Sequence, residues 1–240
     1  MNDLVRLSSV GKLSTGIFRL HAGQILPDLV TLWQTQGKRR YQPSTKLTGI
    51  AELALAEAVT LIKPTAVWAL KEFASGERTF PNADWRQTLS PAIPAELRDK
   101  VKGVIGVVCT IGGALETCVR RRFADGNNIS AYLLDQIGTL AVANLAQSLT
   151  DHLSTGYEVI RWAPGDAGLT LSQQRSLFDL VPAQRIGVYL SKKDIMTPVK
   201  SLSFGLFTGQ NLAKRRCVIF CHDCAWQGAC KVQNGNHDWI

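Results

Sequence analysis

Four cysteines stand within fourteen residues near the C-terminus, in "CVIFCHDCAWQGAC", with the spacing C-x3-C-x2-C-x5-C over Cys217, Cys221, Cys224 and Cys230 and with His222 inside the cluster. Thiolates crowded in this way are metal ligands or disulfide partners, and in a reducing compartment the metal reading is favoured. Zinc knuckles present paired C-x2-4-C units separated by a longer gap, whereas this cluster is compact. Compactness favours an iron-sulfur cluster, of the 4Fe-4S type, held by the four thiolates, with structural zinc as the alternative and unliganded cysteines third. The first three cysteines also match the spacing of radical S-adenosylmethionine enzymes. That motif opens a barrel, and no barrel can follow residue 217, so the match is coincidental. Cys109 and Cys118 have no base beside them in sequence and read as core and helix-face residues.

A second group with chemical potential is "RWAPGD", Arg161 to Asp166. An arginine can clamp a carboxylate with two parallel charge-assisted hydrogen bonds. The Ala163-Pro164-Gly165 turn lets backbone groups approach a ligand closely, and Asp166 can attract a cation. Read alone, Arg161 is an ordinary strand-end arginine. Ser201 and Ser203, in "KSLSFGLFTG", are equally well read as the polar positions of an alternating strand.

The remaining composition bounds the setting. The chain has 240 residues, 45% hydrophobic and 19% charged, enough for a sizeable core. The longest apolar run, Val101 to Leu115, contains four glycines and is shorter than the roughly 20 residues of a bilayer span. No membrane span is expected. The N-terminus lacks the apolar core and small-residue site of a secretory leader, so a cytoplasmic, reduced location is expected. Net charge is +8, with basic triplets at Lys38–Arg40, Arg120–Arg122 and Lys214–Arg216. These are solvated helix faces or patches that can meet nucleic acid, an acidic protein or a phosphate-bearing cofactor, and no recognisable nucleic-acid module accompanies them.

The elements that must position these groups follow from periodicity. Residues 47–62 form an amphipathic helix closed by Pro64. "TAVWALKEF" is a strand, and residues 75–95, with three prolines, are surface loop. "VKGVIGVVCTIG" is a buried strand leading into a helix, "GALETCVRRRFADG". The stretch "NNISAYLLDQIGTLAVANLAQSLTDHLST" predicts a core helix of about seven turns, with its asparagine pair as the cap. A strand "YEVIR", a helix "LSQQRSLFDLV" and two strand-like runs, "RIGVYLS" and "KSLSFGLFTG", complete the chain. Strands and helices are interleaved without repeated βαβ units or a phosphate-type glycine loop, which indicates a single α+β domain. The expected division is residues 1–210 as that domain and 211–240 as a cysteine-rich metal-binding segment.

"RWAPGDAGLTLSQQRSLFDLV" followed by "IGVYLSKKDIMTPVKSLSFGLF" resembles the activation (reactivation) domain of cobalamin-dependent methionine synthase, particularly its stand-alone members. That family carries Arg-x-x-Pro-Gly-Tyr after a strand and then Leu-Thr-Glu-x-x-Met-x-Pro-x-x-Ser-Val-Ser-Gly. The matching residues here are Arg161, Pro164 and Gly165, then Leu190, Met196, Pro198, Ser201, Ser203 and, one place late, Gly205. "CTIGGALE" and "YLLDQIGTLAVANLA" extend the similarity over roughly residues 100 to 210. Two positions depart from the pattern: Asp166 replaces the tyrosine, and Ala143 stands where the long helix carries a glutamate.

The resemblance implies a twisted, largely antiparallel sheet flanked by helices. It implies S-adenosylmethionine held by Arg161, Ala163, Pro164, Gly165, Asp166, Ser201 and Ser203, and docking on a cobalamin-binding methyltransferase protein. There the module would assist reductive methylation of cob(II)alamin, the electron coming from a ferredoxin or flavodoxin and the methyl group from the sulfonium. Under that implication the iron-sulfur cluster becomes an electron relay, which zinc could not be. Lys214, Arg215 and Arg216 then raise its potential and steer an acidic donor. The alternative is an iron-sulfur redox protein of the same fold that has lost S-adenosylmethionine binding and serves another corrinoid partner.

Overall fold

The computed structural model describes residues 13–34, 42–73, 100–155, 158–165 and 170–212. Its centre is a five-stranded antiparallel sheet, in the order β1 (Leu13–Arg19), β2 (Thr65–Glu72), β3 (Val101–Thr110), β7 (Ser201–Gly209), β4 (Glu158–Trp162). The two strands β3 and β7 lie inside the sheet, β3 rich in β-branched residues and β7 carrying Phe204 and Phe207, and they are buried almost throughout because both faces of the sheet are covered.

One face carries the long helices: α1 (Leu29–Gln34), α2 (Thr45–Leu61), α3 (Ala114–Ala124) and α4 (Asn128–Ser154). Ser44 starts α2 by accepting a hydrogen bond from the Leu47 amide at 3.3 Å, and Pro64 follows its end. Asp28 starts α1, accepting from the Thr31 amide at 2.7 Å, and this bond to the charged form holds its carboxyl below the usual range. At 27 residues, α4 is about 40 Å long. It buries Leu133, Leu134, Ile137, Leu145 and Leu149 in the larger core cluster, together with Phe204 and Leu206 of β7. Its length and composition would suffice to cross a bilayer, and 56% of its most apolar window is buried inside this fold instead. Asn127 occupies its cap position without a side-chain capping bond; the Asn127 carbonyl accepts the Ala131 amide at 3.0 Å.

The other face is covered by α5 (Gln174–Leu180), preceded by a 3-10 turn at Leu171–Gln173, and by a second 3-10 turn at Ala183–Ile186. Leu177, Leu180 and Val181 pack there on Val104, Val108 and Phe207. A small hairpin, β5 (Tyr189–Leu190) with β6 (Met196–Thr197), leads into β7.

The α+β class, the antiparallel sheet and the flanking helices agree with the sequence reading. The sequence reading has neither α1 nor β6, and it differs at two further elements. "RIGVYLS" is a 3-10 turn followed by only two strand residues, because Gly187 takes a left-handed conformation (φ +73°) that no strand accommodates. The edge strand β1 is absent from the sequence reading, since "LSTGIFR" has too few apolar residues to declare itself. Its place is set by Trp68, whose ring lies over Gly16, the residue opposite it in the ladder.

Candidate functional site

Arg161 lies on β4, an edge strand, opposite Leu206 of β7. Alternation along the strand puts Ile160 and Trp162 on the α5 face and Arg161 on the face of the long helices. There its guanidinium carbon stands 4.2 Å from the centroid of the Phe204 ring. Stacking on an aromatic face orients the planar fork and removes part of its water, which strengthens its attraction for a carboxylate. Cys109 shares this face. Burial pushes its thiol up to about 12, with the Arg161 charge acting in the opposite direction.

After Arg161 the chain is pinned by Trp162. Its buried ring crosses Gly205, directly opposite in the ladder, and stacks on Phe207 with centroids 5.5 Å apart and planes 20° from parallel. A Cβ on Gly205 would stand 2.2 Å from that ring. The indole Nε1 is buried with no hydrogen-bond partner among the described residues. From this anchor the chain leaves the sheet through half-buried Ala163 and Pro164 to exposed Gly165, whose φ of +86° is the left-handed conformation glycine tolerates best. The turn emerges beside the start of β7. Asp166 lies outside the described residues.

Ser201 and Ser203 are at that same end of the sheet but on the opposite face from Arg161. Ser201 donates to the Pro198 carbonyl at 2.7 Å, with Thr110 Oγ1 2.9 Å away. Ser203 donates to Gln174 Oε1 at 2.9 Å, and Gln174 Nε2 donates in turn to the Asp194 carbonyl at 2.8 Å. Both hydroxyls are buried and engaged within the fold. Strand register therefore separates residues that the sequence motifs group together: Arg161 and Ala163 on one side, the serines on the other, with Gly165 approaching Leu171 of the turn that leads into α5.

Cys217, Cys221, Cys224, Cys230 and the Lys214–Arg216 triplet lie outside the described residues. Among the described residues no group of three or more histidine, cysteine, aspartate or glutamate side chains could hold a metal ion. Cys109 and Cys118 are free and buried, in keeping with their reading as packing residues. Cys118 donates to Glu57 Oε1 at 3.3 Å; burial, and then that bond, raise its pKa. Arg122 bridges Glu57 on α2 and Ser130 on α4. The Arg120–Arg122 triplet is thus divided, with Arg120 and Arg121 exposed and Arg122 tying three helices together. Sequence reasoning missed Gln174, Arg175 and Asp194, which hold the β5–β6 hairpin to α5, because their partners are distant in the chain or belong to the backbone.

No protein-family model matches the chain, and no curated protein matches it. Among solved structures it is similar to the crystal structure of the MetH reactivation domain bound to AdoHcy, with a TM-score of 0.62 and 14% sequence identity over 87% of this chain and 82% of that one. The fold is therefore that of the reactivation domain.

Proposed function

We propose that this chain is an accessory module for reductive reactivation of a cobalamin-dependent methyltransferase of the methionine synthase type. In this reading it binds S-adenosylmethionine and docks on the cobalamin-carrying protein in the cytoplasm. The observation that carries it is the arginine-turn motif, Arg161 to Gly165, located at an edge strand of a fold whose solved neighbour holds AdoHcy. Arg161, oriented by Phe204, would take the ligand carboxylate. Backbone groups of Ala163, Pro164 and Gly165 would line the approach, and Asp166 would face the positive amino or sulfonium group. The hydroxyls of Ser201 and Ser203, committed to internal bonds, would brace the sheet end that presents the turn. Bound S-adenosylmethionine supplies the methyl group. The electron comes from a ferredoxin or flavodoxin, and Cys217, Cys221, Cys224 and Cys230 would hold a 4Fe-4S cluster on its route.

Calorimetry with S-adenosylmethionine and S-adenosylhomocysteine tests the reading. The wild type should bind both, and Arg161→Ala should weaken binding by about 1.5–3 kcal/mol, the scale of a charge-assisted hydrogen bond. Phe204→Leu should weaken it less, by releasing the guanidinium from its orienting ring.

One observation favours a second reading, an iron-sulfur redox protein of the same fold without the ligand. Ala143 supplies no acid on α4, and the amide of its neighbour Asn144 is taken by the Ile25 carbonyl at 2.9 Å. Absence of binding heat with the wild type would select this alternative.

A further inference from the structure

The β5–β6 hairpin exposes large apolar side chains, which the described strands of the five-stranded sheet do not. Its register pairs Tyr189 with Thr197 and Leu190 with Met196, and the Ser191 amide extends the ladder by donating to the Ile195 carbonyl at 2.9 Å. In an antiparallel pair opposite residues share a face, so Tyr189, Ser191, Ile195 and Thr197 point one way and Met196 the other. Met196 packs on the core cluster beneath α5. Tyr189 and Ile195 are 61% and 55% exposed, and Val199, two residues beyond the hairpin, is 66% exposed. Isolated apolar residues at a surface are unremarkable, but an aromatic and a branched aliphatic residue adjoining on one pleat form a patch.

This patch is held in place before any partner arrives. Ser191 Oγ accepts the Lys193 and Ile195 amides at 3.3 and 3.1 Å. Arg175 donates to the Lys192 carbonyl and pairs with Asp194, both at 2.7 Å. On the far side, Glu116 accepts the Val199 amide at 2.9 Å. A surface already ordered loses little entropy on association. At the tip the one acid, Asp194, is paired with Arg175, while Lys192 and Lys193 are exposed. An aromatic and aliphatic centre with a charged rim is the anatomy of a protein interface.

The geometry points to the outer face of this hairpin as a docking surface for a protein partner whose contact patch is apolar at its centre and acidic at its rim. Resting on the functional reading above, that partner is the cobalamin-carrying methyltransferase protein. Tyr189 and Ile195 bury against its apolar centre, and Lys192 and Lys193 meet its carboxylates.

The test measures binding of the full chain to the cobalamin-loaded methyltransferase module from the same organism, at low and high salt. Ile195→Asp should weaken binding at least tenfold. The double variant Lys192→Glu, Lys193→Glu should weaken it at low salt and flatten its salt dependence. Both should keep the wild-type melting temperature and S-adenosylmethionine affinity. If Ile195→Asp does not fold, the double lysine variant, which alters only exposed side chains, decides alone. Wild-type binding unchanged in the variants overturns the surface and leaves the functional reading standing. No binding by the wild type overturns both. A wild type that self-associates, with Ile195→Asp monomeric and equally good at binding the module, makes a second copy the occupant and also overturns the inference.

Discussion

Trp162 lies across Gly205, its partner in the β4–β7 ladder, with the indole ring over the place a side chain would occupy. The indole thereby fixes the point at which the chain leaves the sheet for the Ala163–Gly165 turn. Trp68 over Gly16 repeats the arrangement at the other edge of the sheet, on the opposite face.

Gly205→Ala should therefore destabilise the fold by about 1–3 kcal/mol, because the ring must move out of a packed layer. Gly23 is the control: an alanine methyl there would have no neighbour within 4 Å, and the variant should stay within about 0.5 kcal/mol of the wild type. Urea denaturation of the two variants, side by side, checks the contrast. Equal stabilities would mean that the Trp162 ring is not fixed there.

Adjacent arginines should behave differently. Arg122→Ala removes the bridge from α3 to Glu57 and Ser130 and should cost about 1–2 kcal/mol, a range reduced for its partial exposure. Arg121→Ala, on an exposed side chain, should cost less than about 0.5 kcal/mol. Thermal melts of both variants at matched salt distinguish the two roles.

The buried Cys109 thiol gives the fold an alkaline limit. Its pKa rises from 9.0 to about 12 on burial, so the folded state keeps a proton that the unfolded chain releases. The stability tied to that proton is fully present below pH 9 and is lost as pH climbs from 9 toward 12, by up to about 1.4 kcal/mol per pH unit. Denaturant midpoints taken from pH 8 to 10.5 should fall more steeply in the wild type than in Cys109→Ala. Cys118, raised in the same direction, adds a smaller decline to both. Parallel curves would remove Cys109 as the cause.

The C-terminal cysteines carry the most direct test of the electron-relay reading. Protein reconstituted without oxygen should be brown, hold close to four irons per chain for a cubane cluster, and bleach with dithionite. Cys224→Ala should lose the colour while the sheet and helices remain folded. A colourless anaerobic protein with one tightly held zinc would turn the cysteines into a structural clasp.

Much of this architecture is legible in the sequence because the signals are local. The helical spacing of residues 45–61 and 128–154, the largely apolar runs of β2 and β3, and the alternating polar positions at the start of β7 mark elements that tertiary packing reinforces. The order of the strands is not legible, since it depends on pairing over long separations. The site is half legible for a related reason. "RWAPG" can be read as a strand end and turn from its own residues, but the face on which Arg161, Ser201 and Ser203 fall is decided by the register of β7 against β3 and β4. The Arg161–Phe204 stack and the Ser203–Gln174 bond become visible only once that register is known. β1 escapes sequence reading because glycine at residue 16, needed under Trp68, weakens the strand pattern that would announce it.

The insertion of β7 between β3 and β4 has a kinetic consequence. Its two neighbours are joined to it by segments of 90 and 38 residues, counting from Thr110 to Ser201 and from Trp162 to Ser201. Until Ser201–Gly209 arrives, β3 is the open edge of a β1-β2-β3 sheet and β4 has no strand to join, so a chain interrupted upstream of residue 201 has only part of the sheet. Closure of the sheet waits on its most distant strand pairing among the described residues, and the loop-closure entropy of that separation slows folding.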